Sequence, residues 1–203
     1  MNLGNTVGGW GELLINDEQQ NNEPPVTDRP KIGRFLLRML WDVVSTVVPA
    51  VLIALAINVF VVQAMTIDGP SMQPNLYYDQ RVMIEKVTYR LVHGPRREDV
   101  VTFNLPGEEI PLIKRVVALP GETVEVRDGQ VFIDGELLEE PWTIQLGGPD
   151  YPSTIVPPLH VFVLGDNRPS SRDSRYFGPV PLDQIIGRAL FVYWPPDQAK
   201  SLR

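Results

Sequence analysis

The stretch "TIDGPSMQPNL", Thr66 to Leu76, holds a single serine, Ser71, between a proline and a methionine. A serine hydroxyl is a weak nucleophile until a neighbouring base takes its proton. The chain has no cysteine and two histidines, His93 and His160. Thiol catalysis, disulfides and cysteine-ligated metals are therefore excluded, and a histidine-rich zinc site cannot be built. A Ser-His-Asp triad would have to use His93, in the turn-like "LVHGPRRED", or His160, which opens a strand-like run. Neither shares a motif with Ser71.

Lysine is the other candidate base. "PLIKRVVALPGE", Pro111 to Glu122, sets Lys114 and Arg115 among aliphatic residues. On a strand, Leu112, Lys114, Val116 and Ala118 share one face, and Ile113, Arg115, Val117 and Leu119 share the other. Two readings of Lys114 follow. A lysine on an edge strand is solvated and discourages aggregation. A buried lysine has its charged form penalised, which lowers its pKa from ~10.4 by up to ~3–5 units. The neutral amine can then act as general base to a serine. A third stretch, "GDNRPSSRDSRYFGPV", Gly165 to Val180, mixes Asp166, Arg168, Arg172, Asp173 and Arg175 at close spacing. That pattern suits either a surface loop or an internally salt-bridged loop that holds a hydroxyl near a site.

These stretches need elements to position them. The chain has 203 residues, enough for one ordinary domain with appendages, and a net charge of −7 with no basic stripe. That balance argues against a nucleic-acid partner. Residues 1–28 are rich in Gly, Asn, Gln and acidic residues and read as a disordered tail. Val43 to Val62, "VVSTVVPAVLIALAINVFVV", carries no charged residue. Twenty helical residues just span a hydrocarbon core of about 30 Å. Arg29, Lys31, Arg34 and Arg38 precede it, and no Lys or Arg follows until Arg81. The positive-inside rule then places the N-terminus in the cytoplasm and the rest outside. A buried helix of a soluble domain and a cleaved signal peptide ending near Val62-Gln63-Ala64 are the competing readings. The length of the run and its distance from the N-terminus favour a retained anchor.

From Met65 onward the pattern is strand-like. "RVMIEKV", "DVVTFNL", "LIKRVVAL", "HVFVLGDN" and "IIGRALFVYWP" are short and rich in Val and Ile, and "TVEVRDGQVFIDG" reads as a hairpin about Asp128-Gly129. The expected organisation is a basic-flanked tail over 1–38, an anchor over 39–64 and an extracytoplasmic domain over 65–203. That domain is expected to be mostly β, a compact barrel or sandwich behind a single transmembrane helix.

"GPSMQP", "IKRVVALPGE" and "GDNRPSSRDSRYFGPV", in this order behind an anchor, resemble the type I signal peptidases. The resemblance covers the anchor and nearly all of 65–203. It implies a cell-membrane serine endopeptidase with a Ser-Lys dyad, which removes signal peptides from exported preproteins without metal or cofactor. Carried over by position, it makes Ser71 the nucleophile and Lys114 the general base, with Arg115 a structural neighbour. Ser171 matches a hydroxyl that orients the lysine amine. Asp173 and Arg175 match a pair that shapes the site, and Gly165, Asp166 and Asn167 match its opening turn. Ile67, Met72, Leu76 and Ile113 are the implied pocket residues. The Ser71 N–H would form part of an oxyanion hole. Many members carry a second serine hydroxyl at the position of Gly69, and Asn75 stands where threonine is usual. Three alternatives stay in view: a membrane peptidase with a narrow substrate set, an anchored β module without catalysis, and a self-cleaving Ser-Lys repressor. The anchor and the acidic balance argue against the last.

Overall fold

The computed structural model describes residues 32–202. The expected tail lies mostly outside these residues, as do Arg29 and Lys31 of the basic flank, whereas Arg34 and Arg38 fall in the first helix. Helix α1 spans Ile32–Phe60. Within it Phe35–Ile57 has a mean hydropathy of 2.2 and none of it is buried, so it is long and apolar enough to cross a membrane. Two compact units divide inside this helix, between Thr46 and Val47.

Beyond the helix the chain is mostly β. The strands are β1 (Val62–Thr66), β2 (Arg81–Glu85), β3 (Val100–Phe103), β4 (Leu112–Ala118), β5 (Thr123–Arg127) and β6 (Gln130–Ile133). They continue with β7 (Glu136–Leu137), β8 (Tyr151–Ile155), β9 (His160–Leu164), β10 (Val180–Pro181), β11 (Ile185–Trp194) and β12 (Lys200–Ser201). The large sheet runs β1-β2-β11-β3-β4-β9-β10, with β12 on β11. It curls into a half-barrel, so β1 and β10 are its ends. A smaller sheet runs β7-β6-β5-β8. Every described pairing is antiparallel within these strands.

Burial follows from position. In β2 and β5 only alternate residues are buried, as in strands with one wet face. In β3, β4 and β9 nearly every residue is buried, because both faces are covered. One cluster holds Met72, Leu76, Val82, Ile84 and Ile113, and another holds Val101, Phe103, Val116 and Val163. A third, under the small sheet, holds Val117, Ala118, Val124 and Phe162. The Asp128-Gly129 hairpin forms as expected, with φ of 51° and 77°.

Two expectations change. Val62 to Ala64 belong to β1, paired with β2 in register Val62↔Glu85, and not to the helix. The strict alternation along β4 fails at a bulge. Val116 pairs Val163 but Ala118 pairs Phe162, so β4 carries one extra residue. Val117 and Ala118 therefore enter the same core cluster, while Leu119 returns to the side of Leu112 and Val116. Arg97 Nη1 donates to the Val117 carbonyl at the bulge and ion-pairs with Glu122 at 2.6 Å.

Candidate active site

Lys114 is not on an edge. β4 lies between β3 and β9, with Val101 opposite Lys114 and Leu164 opposite Arg115. Lys114 is 4% exposed. Its Nζ donates to Ser71 Oγ at 2.9 Å and to its neighbour Ile113 O at 2.8 Å. Burial lowers its pKa from 10.5 to about 8, although Asp173 and Asp166 pull the other way. A detectable fraction of neutral amine therefore faces the serine at neutral pH.

Ser71 sits in a turn closed by Gln73 N donating to Pro70 O and by Leu76 N donating to Met72 O. Met72 and Leu76 are fully buried and fix the turn to the core. Among the described residues no acceptor pairs with the Ser71 N–H, so it is available to a substrate oxygen. The segment after β9 presses on this turn. Asn167 N donates to Ser71 O at 3.0 Å and Asn167 Nδ2 donates to Pro70 O at 3.2 Å. Gly165 permits the approach: a Cβ there would lie 2.5 Å from Ser71 O and 2.2 Å from Ser171 Oγ.

The charges are organised by pairs. Arg115 Nε and Nη2 donate to Asp166 Oδ1 and Oδ2 at 2.8 and 2.7 Å, and both side chains are buried. Such a two-point contact fixes direction as well as distance. Asp173 Oδ2 accepts from Gly165 N at 3.0 Å, and both its oxygens accept from Arg175. Arg175 also donates to Gly147 O and Arg168 O. Of the alternating charges in Gly165–Val180, only Asp173–Arg175 pairs within the segment. Asp166 pairs with Arg115, Arg168 with Glu140 and Arg172 with Glu108. The segment is therefore pinned outward to three other parts of the chain.

Some expected residues lie elsewhere. Ser171 Oγ is buried but makes no hydrogen bond among the described residues, so the amine is held by Ser71 and Ile113 O instead. A cavity of about 230 Å³ opens over the pair, between Met65, Thr66 and Asp68 on one side and Ile110 to Ile113 on the other. Ile113 lines it. Ile67, Met72 and Leu76, at 0–2% exposure, are core packing and support the walls from behind. Gly69 has φ of +111° and no side-chain donor. His93 and His160 each place Nδ1 against a local carbonyl, Gly94 O and Pro158 O, and neither bonds Ser71.

Asn75 has a role its sequence position did not reveal. Its Nδ2 donates to Asp166 Oδ2 and to Trp142 O, both at 2.8 Å. The Trp142 ring lies 5.0 Å from the Arg115 guanidinium. One amide thus joins the serine turn, the Asp166–Arg115 pair and the 139–147 segment. Two donors are needed for this, and a threonine hydroxyl has one. No local pattern in the sequence signals these partners, because all are distant along the chain.

The family described as signal peptidase, peptidase S26, matches residues 40–194. A signal peptidase I of Leptolyngbya laminosa is 39% identical over 189 residues, which cover 88% of this chain and 89% of that protein. A probable signal peptidase I of Synechocystis sp. is 39% identical over 158 residues, 74% of this chain and 72% of that protein. A solved signal peptidase I from Enterococcus faecalis is 37% identical with a TM-score of 0.42, covering 46% of this chain and 95% of that one.

Proposed function

The chain belongs to the signal peptidase family, peptidase S26, and on that premise we propose that it removes signal peptides from preproteins by a Ser71–Lys114 dyad. The observation that carries the dyad is the 2.9 Å contact between a buried lysine amine and Ser71 Oγ. With Nζ neutral, the same contact runs from the serine hydroxyl to the amine. Lys114 takes that proton as Oγ attacks the scissile carbonyl carbon. The developing oxyanion accepts from the Ser71 N–H, and one such donor is typically worth ~10²–10³ in rate. The C–N bond then breaks, and the Lys114 ammonium protonates the leaving amine. This leaves an ester on Ser71 and a neutral amine. Lys114 next takes a proton from water, whose oxygen attacks the ester, and returns that proton to Ser71 Oγ as the acid leaves.

The cavity suits the substrate. Signal peptides end in small residues of A-x-A type. A space of about 230 Å³ is below the ~300–1,000 Å³ of common ligand pockets and takes small side chains. Met65 and Thr66 belong to the edge strand β1, against which an extended chain can lie. Asp166, Arg115, Asp173 and Arg175 hold the serine turn and β4 in place. Helix α1 anchors the enzyme in a membrane, with the N-terminus cytoplasmic and the β domain on the far side, where preproteins emerge.

Expression with a preprotein tests the assignment. Ser71→Ala, Lys114→Ala and Lys114→Arg are each expected to abolish processing, because arginine cannot deprotonate. Lys86→Ala is the control and retains it. Full processing by any of the first three sinks the dyad.

A further inference from the structure

Asp68 is an unabsorbed charge in this cleft. It lines the same cavity as Ser71 and Lys114, and Asp68 is the only carboxylate, as Lys114 is the only amine, among the described lining residues. Asp68 is exposed, and no hydrogen bond or ion pair is made by its carboxylate among the described residues. Its placement is nevertheless rigid. The preceding residue, Ile67, is 2% exposed in the core. Ile67 N donates to Gln80 O at 2.8 Å and Ile67 O accepts from Asp79 N at 3.0 Å. With Ile67 facing inward and bonded on both sides, the next side chain faces out into the cleft. The acids that raise the Lys114 pKa are Asp173 and Asp166.

We propose that Asp68 sets the charge preference of the cleft, favouring preproteins with basic residues close to the cut and disfavouring acidic ones. The inference rests on the reading of Ser71 and Lys114 as the active site. Asp68 lies three positions before Ser71, at most about 10 Å of extended chain. A substrate side chain within about three residues of the scissile bond therefore passes over it. Attraction of a lysine and repulsion of a glutamate at 4–6 Å in a wet site together amount to about a tenfold difference in kcat/KM. Screening reduces that difference as salt rises.

The test uses the full chain in zwitterionic detergent micelles and a set of synthetic peptides carrying a signal-peptide cut site. A single Lys, Gln or Glu is moved through the three positions on each side of the cut. The readout is the Lys-to-Glu ratio of kcat/KM within each enzyme, so any general loss of rate cancels. Wild type is expected to show a ratio of about ten at one or two positions, falling toward one in high salt. Asp68→Asn should bring the same positions to about one, and Asp68→Lys should invert them. A flat ratio at every position in wild type overturns the proposal, as does a ratio that persists in Asp68→Asn. Cleavage of the Gln peptide by Ser71→Ala would instead overturn the reading of the active site, leaving the two failures distinguishable.

Discussion

The pH dependence of cleavage is the sharpest consequence of how Lys114 is held. Burial brings its pKa from 10.5 to about 8. At pH 7 about a tenth of such an amine is neutral, against roughly one part in 3,000 for an ordinary lysine, a gain of ~300-fold in competent base. The profile of kcat/KM, which reports the free enzyme, is expected to rise tenfold per pH unit up to about 8 and then level off. The measurement is initial rate on an internally quenched peptide at low substrate between pH 6 and 10, in detergent, at constant ionic strength. The limb should be unchanged in His93→Ala and His160→Ala. A profile already flat from pH 6 would refute the reasoning, and so would a tenfold rise per unit that continues to pH 10, because either result means the base is not a desolvated lysine. The same shift has a stability side. The folded pKa is below the unfolded one, so between about 8 and 10.5 the unfolded chain binds the extra proton. Unfolding free energy therefore climbs with pH across that window, by about 3 kcal/mol at most, and the full penalty is present below it.

Other predictions follow from the contacts around the dyad. Lys114→Met removes that buried charge and is expected to abolish cleavage while raising Tm at pH 7, by thermal unfolding; a lower Tm would contradict the desolvation argument. Asn75→Ala should lower kcat by about tenfold with KM within about twofold, through loss of hydrogen bonds worth about 1–3 kcal/mol at Asp166 and Trp142 O; Asn75→Asp, which sets a carboxylate against Asp166, should do worse. Gly165→Ala forces a methyl into Ser71 O and Ser171 Oγ and is expected to cost at least 100-fold in kcat, with circular dichroism showing a folded β domain. Unimpaired kcat in that variant would mean the serine turn tolerates displacement.

The sequence carried the strands well where one period or one turn sufficed. β2, β3, β9 and β11 fall in the Val- and Ile-rich runs, and Asp128-Gly129 is a local turn signal with a local cause. β1 was hidden because its first residue, Val62, ends the apolar run of α1, and a short apolar run does not separate helix from strand. The bulge at Val117 was invisible, since an extra residue shows only against its partner strand. Met72 and Leu76 are apolar residues flanking a nucleophile, and apolar character alone does not divide pocket from core. The charges of Gly165–Val180 suit a surface loop or an internally bridged one, and only Asp173–Arg175 pairs internally, because opposite charges close in sequence say nothing about partners such as Glu108, Arg115 and Glu140. The partners of Asn75 had no local signal: its two hydrogen bonds span 67 and 91 residues.

The position of β4 between β3 and β9 bears on when the enzyme becomes active during its own synthesis. β9 pairs with β4 at Arg115, next to Lys114, and Asn167 N holds Ser71 O; both partners leave the ribosome after Ser71 and Lys114. Until they arrive, β4 lacks one of its two flanking strands, and a lysine on such an edge is solvated and protonated. A truncated chain lacking residues beyond β8 is therefore expected to carry Ser71 and Lys114 without cleaving a preprotein.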